Sequence, residues 1–523
     1  MKAQIVARYQ ALAGRSGCDR ARMSGLVFAL GLSLVASSCG ARVGPYLGAG
    51  AGVGQGGAAG SGVASQQAAA GTGRAGAASP GATSQVRSAG SAGTPGSAGV
   101  AGTAGTAGSP AVLAARTSES SASTFNFDPA VEAAACPNGQ GNTSSDVGVT
   151  PSSITFGNVS GLTGPLANSF TQGAQAVQAL FSAINAHGGI CGRKLSLLVE
   201  DDGQSASHNA ADVQDLIPKV LAFVGSTSDA DNGGVPAMVH AGVPDIGFAI
   251  NCNRSQSPVY WSPAGGSCYY VNGRPYYYNT MFNGLKAFGD FPKRMAFLAY
   301  NVPISAQAAQ QFASMYQQSG GSVCYTDYSI SPATASLAGD VIQMQNNHCD
   351  GVYTTLDVTG NAKLLQAMQQ QQFHPLYAGT TFDGYTPSLI STAGEQASQG
   401  FQVGIPFPPF NGSNPIVRMY LNQLSAYEPG QQPSGFGFLA WAAAQMLVYA
   451  LIKVGHNPTR QGITSVFNSL VNWNTGGALG PYTPRTRSVI NCMINTVVKG
   501  TSFVRMWPSS GLYCNGQLVP VGP

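Results

Sequence analysis

At 523 residues the chain has room for about three or four domains, yet only 9% of it is charged and its net charge is +4 at pH 7. So weak a field gives no footing for a nucleic-acid partner. Glycine numbers 69, but much of it lies in one biased segment and says little about the rest.

Residues 1–39 read as an export signal. Arg15, Arg20 and Arg22 flank an apolar run over 26–36 that is too short to span a bilayer. The run ends Val35-Ala36-Ser37-Ser38-Cys39-Gly40, small residues before a cysteine, which resembles a bacterial lipobox with Cys39 as the lipidated residue. The bulky aliphatic residue usual three places before that cysteine is Ala36 here, so ordinary secretion with cleavage nearby is the competing reading, and Met23 is an alternative start. Residues 40–125 are almost wholly Gly, Ala, Ser and Thr. Such a stretch cannot bury enough apolar surface to offset its ordering entropy, so it is expected to be a flexible tether. Its end-to-end distance would be about 50 Å. The Gly52-Val53-Gly54-Gln55-Gly56-Gly57 match to a dinucleotide fingerprint has no strand before it and no helix after it, and is chance. Residues 126–152 are a lead-in carrying Cys136.

From residue 153 strands and helices alternate. Apolar runs at 154–158, 195–200, 221–224 and 245–249 read as strands. Ala174, Val177, Leu180, Phe181 and Ile184 recur at helical spacing, and Gly188-Gly189 stops that helix. This is βαβ patterning, which implies a parallel sheet with ligands outside the carboxyl ends of its strands. The loops 160–163, 225–229 and 249–251 fall there. An aromatic loop over 260–278 follows, read as a disulfide-stapled hydrophobic cover, with sugar or partner binding as the alternative. A second alternation has strands at 294–300, 322–328, 351–356, 376–380 and 400–406, with helices at 306–318, 335–347 and 361–372. Residues 436–454 are the longest apolar segment. Gly435, Gly437, Gln445 and Lys453 mark it as a buried helix and not a membrane span. Residues 459–471 read as a further helix and 489–514 as strands.

Ten cysteines, less Cys18 in the signal and Cys39 at the lipobox, leave eight (10 − 2). An even number behind an export signal implies disulfides, though eight allow roughly a hundred pairings. Geometry favours near neighbours: Cys324 with Cys349 at the amino edge of one sheet, Cys252 with Cys268 around the aromatic loop, Cys492 with Cys514 around the terminal strands, and Cys136 with Cys191. No Cys/His spacing suggests a metal. The six histidines are scattered, and no H-E-x-x-H, nucleophile elbow or phosphate loop occurs. Glu200, Asp201 and Asp202 at a strand end read as structural. No enzyme and no cofactor is expected.

The phrases Ser160-Gly161-Leu162-Thr163-Gly164-Pro165 and Gly188-Gly189-Ile190-Cys191-Gly192-Arg193-Lys194-Leu195, followed by Glu200-Asp201-Asp202, resemble the periplasmic branched-chain amino-acid-binding proteins. These are type I solute-binding components of ABC importers. The resemblance covers about 153–515. It implies an α/β fold, periplasmic binding protein-like type I: two Rossmann-like lobes with parallel sheets joined by three crossover hinge strands. Lobe 1 would hold 153–278 and 407–480, and lobe 2 would hold 282–402 and 485–518. It also implies a small polar ligand such as an amino acid or amide, an ABC permease partner, and a place outside the cytoplasmic membrane, held there by the lipid anchor. Carried over residue by residue, Ser226, Thr227 and Ser228 would meet the ligand carboxylate at a helix start. Helix capping by Ser228 or Asp229 competes with that role. Ala249 and Asn251 would meet the ammonium group. Tyr300 would form an aromatic wall, Asp357 a strand-end contact, and Asp383, where the family commonly has Glu, the acidic partner of the ammonium. A sensor or surface interaction protein that keeps the same fold without transport is the alternative.

Overall fold

The computed structural model describes residues 141–522. The signal-like start, Cys39, the tether at 40–125 and Cys136 lie outside the described residues.

The chain begins with β1 (Ser153–Ser160), α1 (Ala167–Ala186), β2 (Lys194–Asp201), α2 (Ala206–Leu216), β3 (Phe223–Val224), α3 (Val235–Ala241), β4 (Asp245–Ile246), α4 (Cys252–Ser255) and β5 (Tyr260–Trp261). Their strands form one parallel sheet in the order β2-β1-β3-β4-β5. A hairpin, β6 (Tyr269–Val271) and β7 (Arg274–Tyr278), leads through α5 (Thr280–Phe288) to the next body. There follow β8 (Arg294–Tyr300), α6 (Pro303–Gln318), β9 (Ser322–Ile330), α7 (Ala338–Asn346), β10 (Gly351–Thr354), α8 (Val358–Gln370), β11 (Tyr377–Thr380), α9 (Pro387–Ala393), α10 (Glu395–Ser398) and β12 (Gln402–Ile405). The chain then returns to the first body as α11 (Pro415–Tyr427), α12 (Gly435–Val454) and α13 (Arg460–Ser469), with α11 and α12 packed on α1. Finally β13 (Ile494–Lys499) and β14 (Ser502–Trp507) complete the second sheet, ordered β14-β13-β12-β11-β10-β8-β9. Of its strands only β13 runs against the rest: it is antiparallel to both β12 and β14, so β14 points the same way as β8 to β12. The chain therefore passes between the two lobes three times, after β5, after β12 and after α13. Each sheet reverses its strand order once, between β1 and β3 and between β8 and β10, and such a switch opens a crevice at the carboxyl ends.

Local chemistry explains the elements. In α1, Ala174, Val177, Leu180, Phe181 and Ile184 are buried at helical spacing. Gly188 and Gly189 follow it at positive φ and end it. Asp357, Ser434 and Thr459 each accept a hydrogen bond from a backbone N–H in the first turn of the helix that follows. Helix α12 is long and apolar enough to cross a membrane, but 89% of its apolar window is buried inside the protein. Its Trp441 donates to Gln423 at 2.7 Å.

Two expectations change. The aromatic stretch is more than a loop: Tyr260–Trp261 forms the edge strand of the first sheet, and residues 269–278 form a hairpin. Asn272 and Gly273 both take positive φ, which is the signature of a two-residue hairpin turn. The terminal strands are two, Ile494–Lys499 and Ser502–Trp507, and the later β15 (Leu518–Pro520) pairs with β7 in a small third sheet. The disulfides Cys252–Cys268, Cys324–Cys349 and Cys492–Cys514 pair as expected. Cys191 is also disulfide-bonded.

Gly225 ends β3 with φ +66, and a Cβ added there would run into Val177 of α1. We expect Gly225→Ala to destabilise the protein by about 2–4 kcal/mol, combining left-handed strain with overpacking. A shifted urea midpoint with an unchanged slope would report it.

Candidate binding cleft

The carboxyl ends of both parallel sheets converge on a cavity of about 230 Å³. Asp229, Phe248 and Ile250 reach it from the loops after β3 and β4. From the second lobe come Tyr300 at the end of β8, Thr355 and Asp357 after β10, and Thr381 to Asp383 after β11. Tyr278, Ile405 and Met493 line it where the chain passes between the lobes. Most of the lining is apolar.

An aromatic seam crosses the cleft. Phe382 of the second lobe meets Phe248 edge-on with centroids 5.0 Å apart, and meets Phe436 at the start of α12 at 5.1 Å. Phe170 of α1 stands 5.7 Å from Phe436. Gly435 makes the seam close, because a Cβ there would strike the carbonyl of Phe382.

Of the residues expected at the site, Tyr300, Asp357 and Asp383 line the cavity. The Tyr300 hydroxyl donates to Asp357 Oδ1 at 2.5 Å, and the same oxygen accepts from Gly360 N at 2.8 Å, capping α8. Asp383 accepts from the Thr381 hydroxyl. Burial pushes its carboxyl up to about 7, with Thr381 opposing and Asp357 adding to the rise.

Ser226, Thr227, Ser228, Ala249 and Asn251 stand behind the cavity wall, and their polar groups are engaged within the protein. Ser226 Oγ accepts from Val159 N at 3.1 Å. Thr227 N donates to Ser160 Oγ, and its hydroxyl donates to the Phe170 carbonyl at 2.8 Å. Ser228 Oγ accepts from Ala230 N at 3.0 Å. Neither Ser228 nor Asp229 caps a helix: α3 begins at Val235 after Gly234. Ala249 N donates to the Tyr260 hydroxyl, and Ala249 O accepts from Ser267. Asn251 donates to the Asp229 carbonyl and to Asp231.

These loops are fixed by a group that sequence reasoning did not single out. Arg254, fully buried, donates to Asp245 through Nε and Nη2 at 2.7 and 2.8 Å, and to Asp231 and the Ser226 carbonyl through Nη1 at 3.1 Å. Asp231 in turn accepts from Ile250 N and Asn251 N at 2.7 and 3.0 Å. Although burial pulls the guanidinium pKa down, Asp245 and Asp231 together drive it above its ordinary value.

Asp229 and Ser169 are the other residues missed. Asp229 Oδ1 is buried without a hydrogen-bond partner among the described residues, and burial, with Asp202 and Asp231 adding, raises the carboxyl to about 7. Ser169 of α1 is 6% exposed, lines the cavity, and its Oγ also has no partner among the described residues. Asp229 sat in a loop expected at the cleft, and an acid there with no basic neighbour in sequence was the available signal. Ser169 gave none.

The family described as "Periplasmic binding protein" matches residues 153–502. No curated protein matches the chain. Among solved structures, a fatty acid ABC transporter substrate-binding protein from Thermomonospora curvata is 17% identical with a TM-score of 0.59, covering 72% of this chain and 96% of that one. A branched chain amino acid ABC transporter from Thermus thermophilus with bound valine is 14% identical with a TM-score of 0.59, covering 69% and 96%. A leucine binding protein from Thermotoga maritima is 17% identical with a TM-score of 0.54, covering 68% and 97%. At such identities the likeness carries the fold alone.

Removing Arg254 leaves two buried carboxylates without their counter-ion. Arg254→Ala should cost about 3–5 kcal/mol in urea unfolding at pH 7. Asp229 behaves in the opposite sense. Its folded carboxyl is raised from 3.8 to about 7, so between those values the folded state holds a proton that the unfolded chain releases. Ionisation therefore opposes folding fully above about pH 7 and not at all below about pH 4. Asp229→Asn should stabilise the protein at pH 8 by about 1–2 kcal/mol after solvent screening, with the gain fading toward pH 4. Thermal melts across that range would read it.

Proposed function

We propose that this chain, which belongs to the periplasmic binding protein family, is an exported solute-binding protein that captures a small ligand between its lobes for an ABC importer. The observation that carries the reading is the cavity itself. It lies where the carboxyl ends of both sheets meet, it is lined by both lobes and by the passages between them, and it presents unpartnered polar atoms from Ser169 and Asp229. Clefts of this kind, apolar with a few convergent polar groups, are the usual small-molecule sites. Solved proteins of the same fold include two of ABC transport and a leucine binding protein, which supports the importer role.

The mechanism follows from the chain's path. Among the described residues three passages join the lobes, so rotation about them would open and close the cleft while each sheet stays intact. A ligand touching both lobes stabilises the closed arrangement and shifts the population toward it. The closed form would then deliver the ligand to a membrane permease. Lipidation at Cys39 would hold the protein at the outer face of the cytoplasmic membrane, and the 40–125 segment would give it reach.

Native mass spectrometry of the purified protein, before and after unfolding and refolding, tests the capture. We expect a small bound mass that is lost on refolding. Its return should raise the melting temperature and reduce the radius of gyration. An unliganded protein with no thermal response to any small solute would count against capture.

A further inference from the structure

Taking the solute-binding reading as its basis, we propose that the ligand is an apolar organic cation: an amine on an aliphatic or aromatic body, with no carboxylate.

The charge of the lining points there first. Asp229, Asp357 and Asp383 line the cavity, and among the described residues no Lys, Arg or His does. A zwitterionic amino acid or a fatty acid would bring a carboxylate into a site holding three acids and no counter-ion, and a buried anion without a partner is strongly disfavoured. One feature favours an anion: α6 begins without a side-chain cap, and its first residues, Ile304 and Ser305, line the cavity. A helix start is worth about half an elementary charge, against three carboxyl groups, of which Asp229 and Asp383 carry their full charge only above about pH 7.

Much of the hydrogen-bonding capacity of the loops expected to hold a carboxylate is already used. Thr227 N and Oγ1 donate to Ser160 and Phe170, and the Ser226 and Ser228 hydroxyl oxygens accept from backbone N–H groups. Ile250 N and Asn251 N donate to Asp231, an internal carboxylate already neutralised by Arg254. The protein has filled this anion position with its own side chain.

The groups left over at the cavity are a hydroxyl, which can donate or accept, and a carboxyl oxygen, which favours positive charge. Ser169 Oγ, on a side chain more than nine-tenths buried, and Asp229 Oδ1 both line the cavity without a partner among the described residues. An ionised carboxylate can only accept, so its natural complement is an N–H of a cation. The faces of Phe248, Phe382, Phe436 and Tyr300 supply both apolar contact and attraction for a cation. At about 230 Å³ the cavity is smaller than the roughly 300–1,000 Å³ clefts that take drug-sized ligands, so the body is that of a short alkyl or phenylalkyl chain.

Two matched series test this with one body and three head groups: phenethylamine, phenylalanine and 3-phenylpropionate; and 3-methylbutylamine, leucine and 4-methylpentanoate. Titration calorimetry on the refolded, ligand-stripped protein at pH 8 should give, in at least one series, an amine that binds tenfold or more tighter than its amino acid, with the acid undetectable. Asp229→Asn and Asp383→Asn should each weaken that amine about tenfold or more, with circular dichroism unchanged. An amino acid or acid binding as tightly as its amine, or full amine affinity in both variants, would overturn the cationic assignment and leave solute capture standing. Silence from every compound in both series would overturn the cationic assignment and weigh against solute capture as well.

Discussion

A single buried guanidinium sets the wall of the first lobe. Arg254 reaches the first residue of β4 through Asp245, the turn after β3 through the Ser226 carbonyl, and the 250–251 backbone through Asp231. Two cleft loops and the strand between them are thus held by one side chain. Such a network is tolerable only when nearly every donor and acceptor is used, because the desolvation of three charges otherwise outweighs their attraction. Here Nε, Nη1 and Nη2 all have partners. The loops it fixes are pre-organised, and they are also closed to further use: donors that would be free in a looser arrangement already serve Asp231.

That closure explains which parts of the site could be read from the sequence. The fold was legible because it rests on periodicity. The apolar spacing of α1, the Gly188-Gly189 stop and the alternation of strands with helices each have one physical interpretation. The site was legible only where position in the fold decides exposure, as for Asp357 and Asp383 beyond the strand ends. The trio Ser226-Thr227-Ser228 has the composition of a ligand loop, but residue type does not say who takes the hydrogen bond. That depends on Val159, Ser160, Phe170 and Ala230 arriving at hydrogen-bonding distance. Asp231 and Arg254 carried no sequence signal because they lie 23 residues apart and meet only in three dimensions. The hairpin at 269–278 was hidden differently. Its tyrosines mask the period-two pattern, although Asn272-Gly273 between them is a strong turn signal.

The aromatic seam links this rigid wall to the second lobe. Phe382 contributes two ring contacts to the first lobe, worth about 1–3 kcal/mol together. That is well short of the roughly 5.5 kcal/mol needed to carry an equilibrium from 1:99 to 99:1. A contact of that size biases the lobes toward each other without locking them.

The disulfides have a mechanical consequence. Their partners are 16, 25 and 22 residues apart, and each described bridge closes a loop inside one body: Cys252–Cys268 beside the first sheet, Cys324–Cys349 within the second, Cys492–Cys514 around its antiparallel edge. Among the described residues no rivet crosses the pivot. On the proposed closing motion, the bridges stiffen each jaw in oxidising surroundings and none of those described restrains the axle. Because Cys252 and Cys492 also face the cavity, reduction would soften the grip of each jaw without changing how far the clamp can swing.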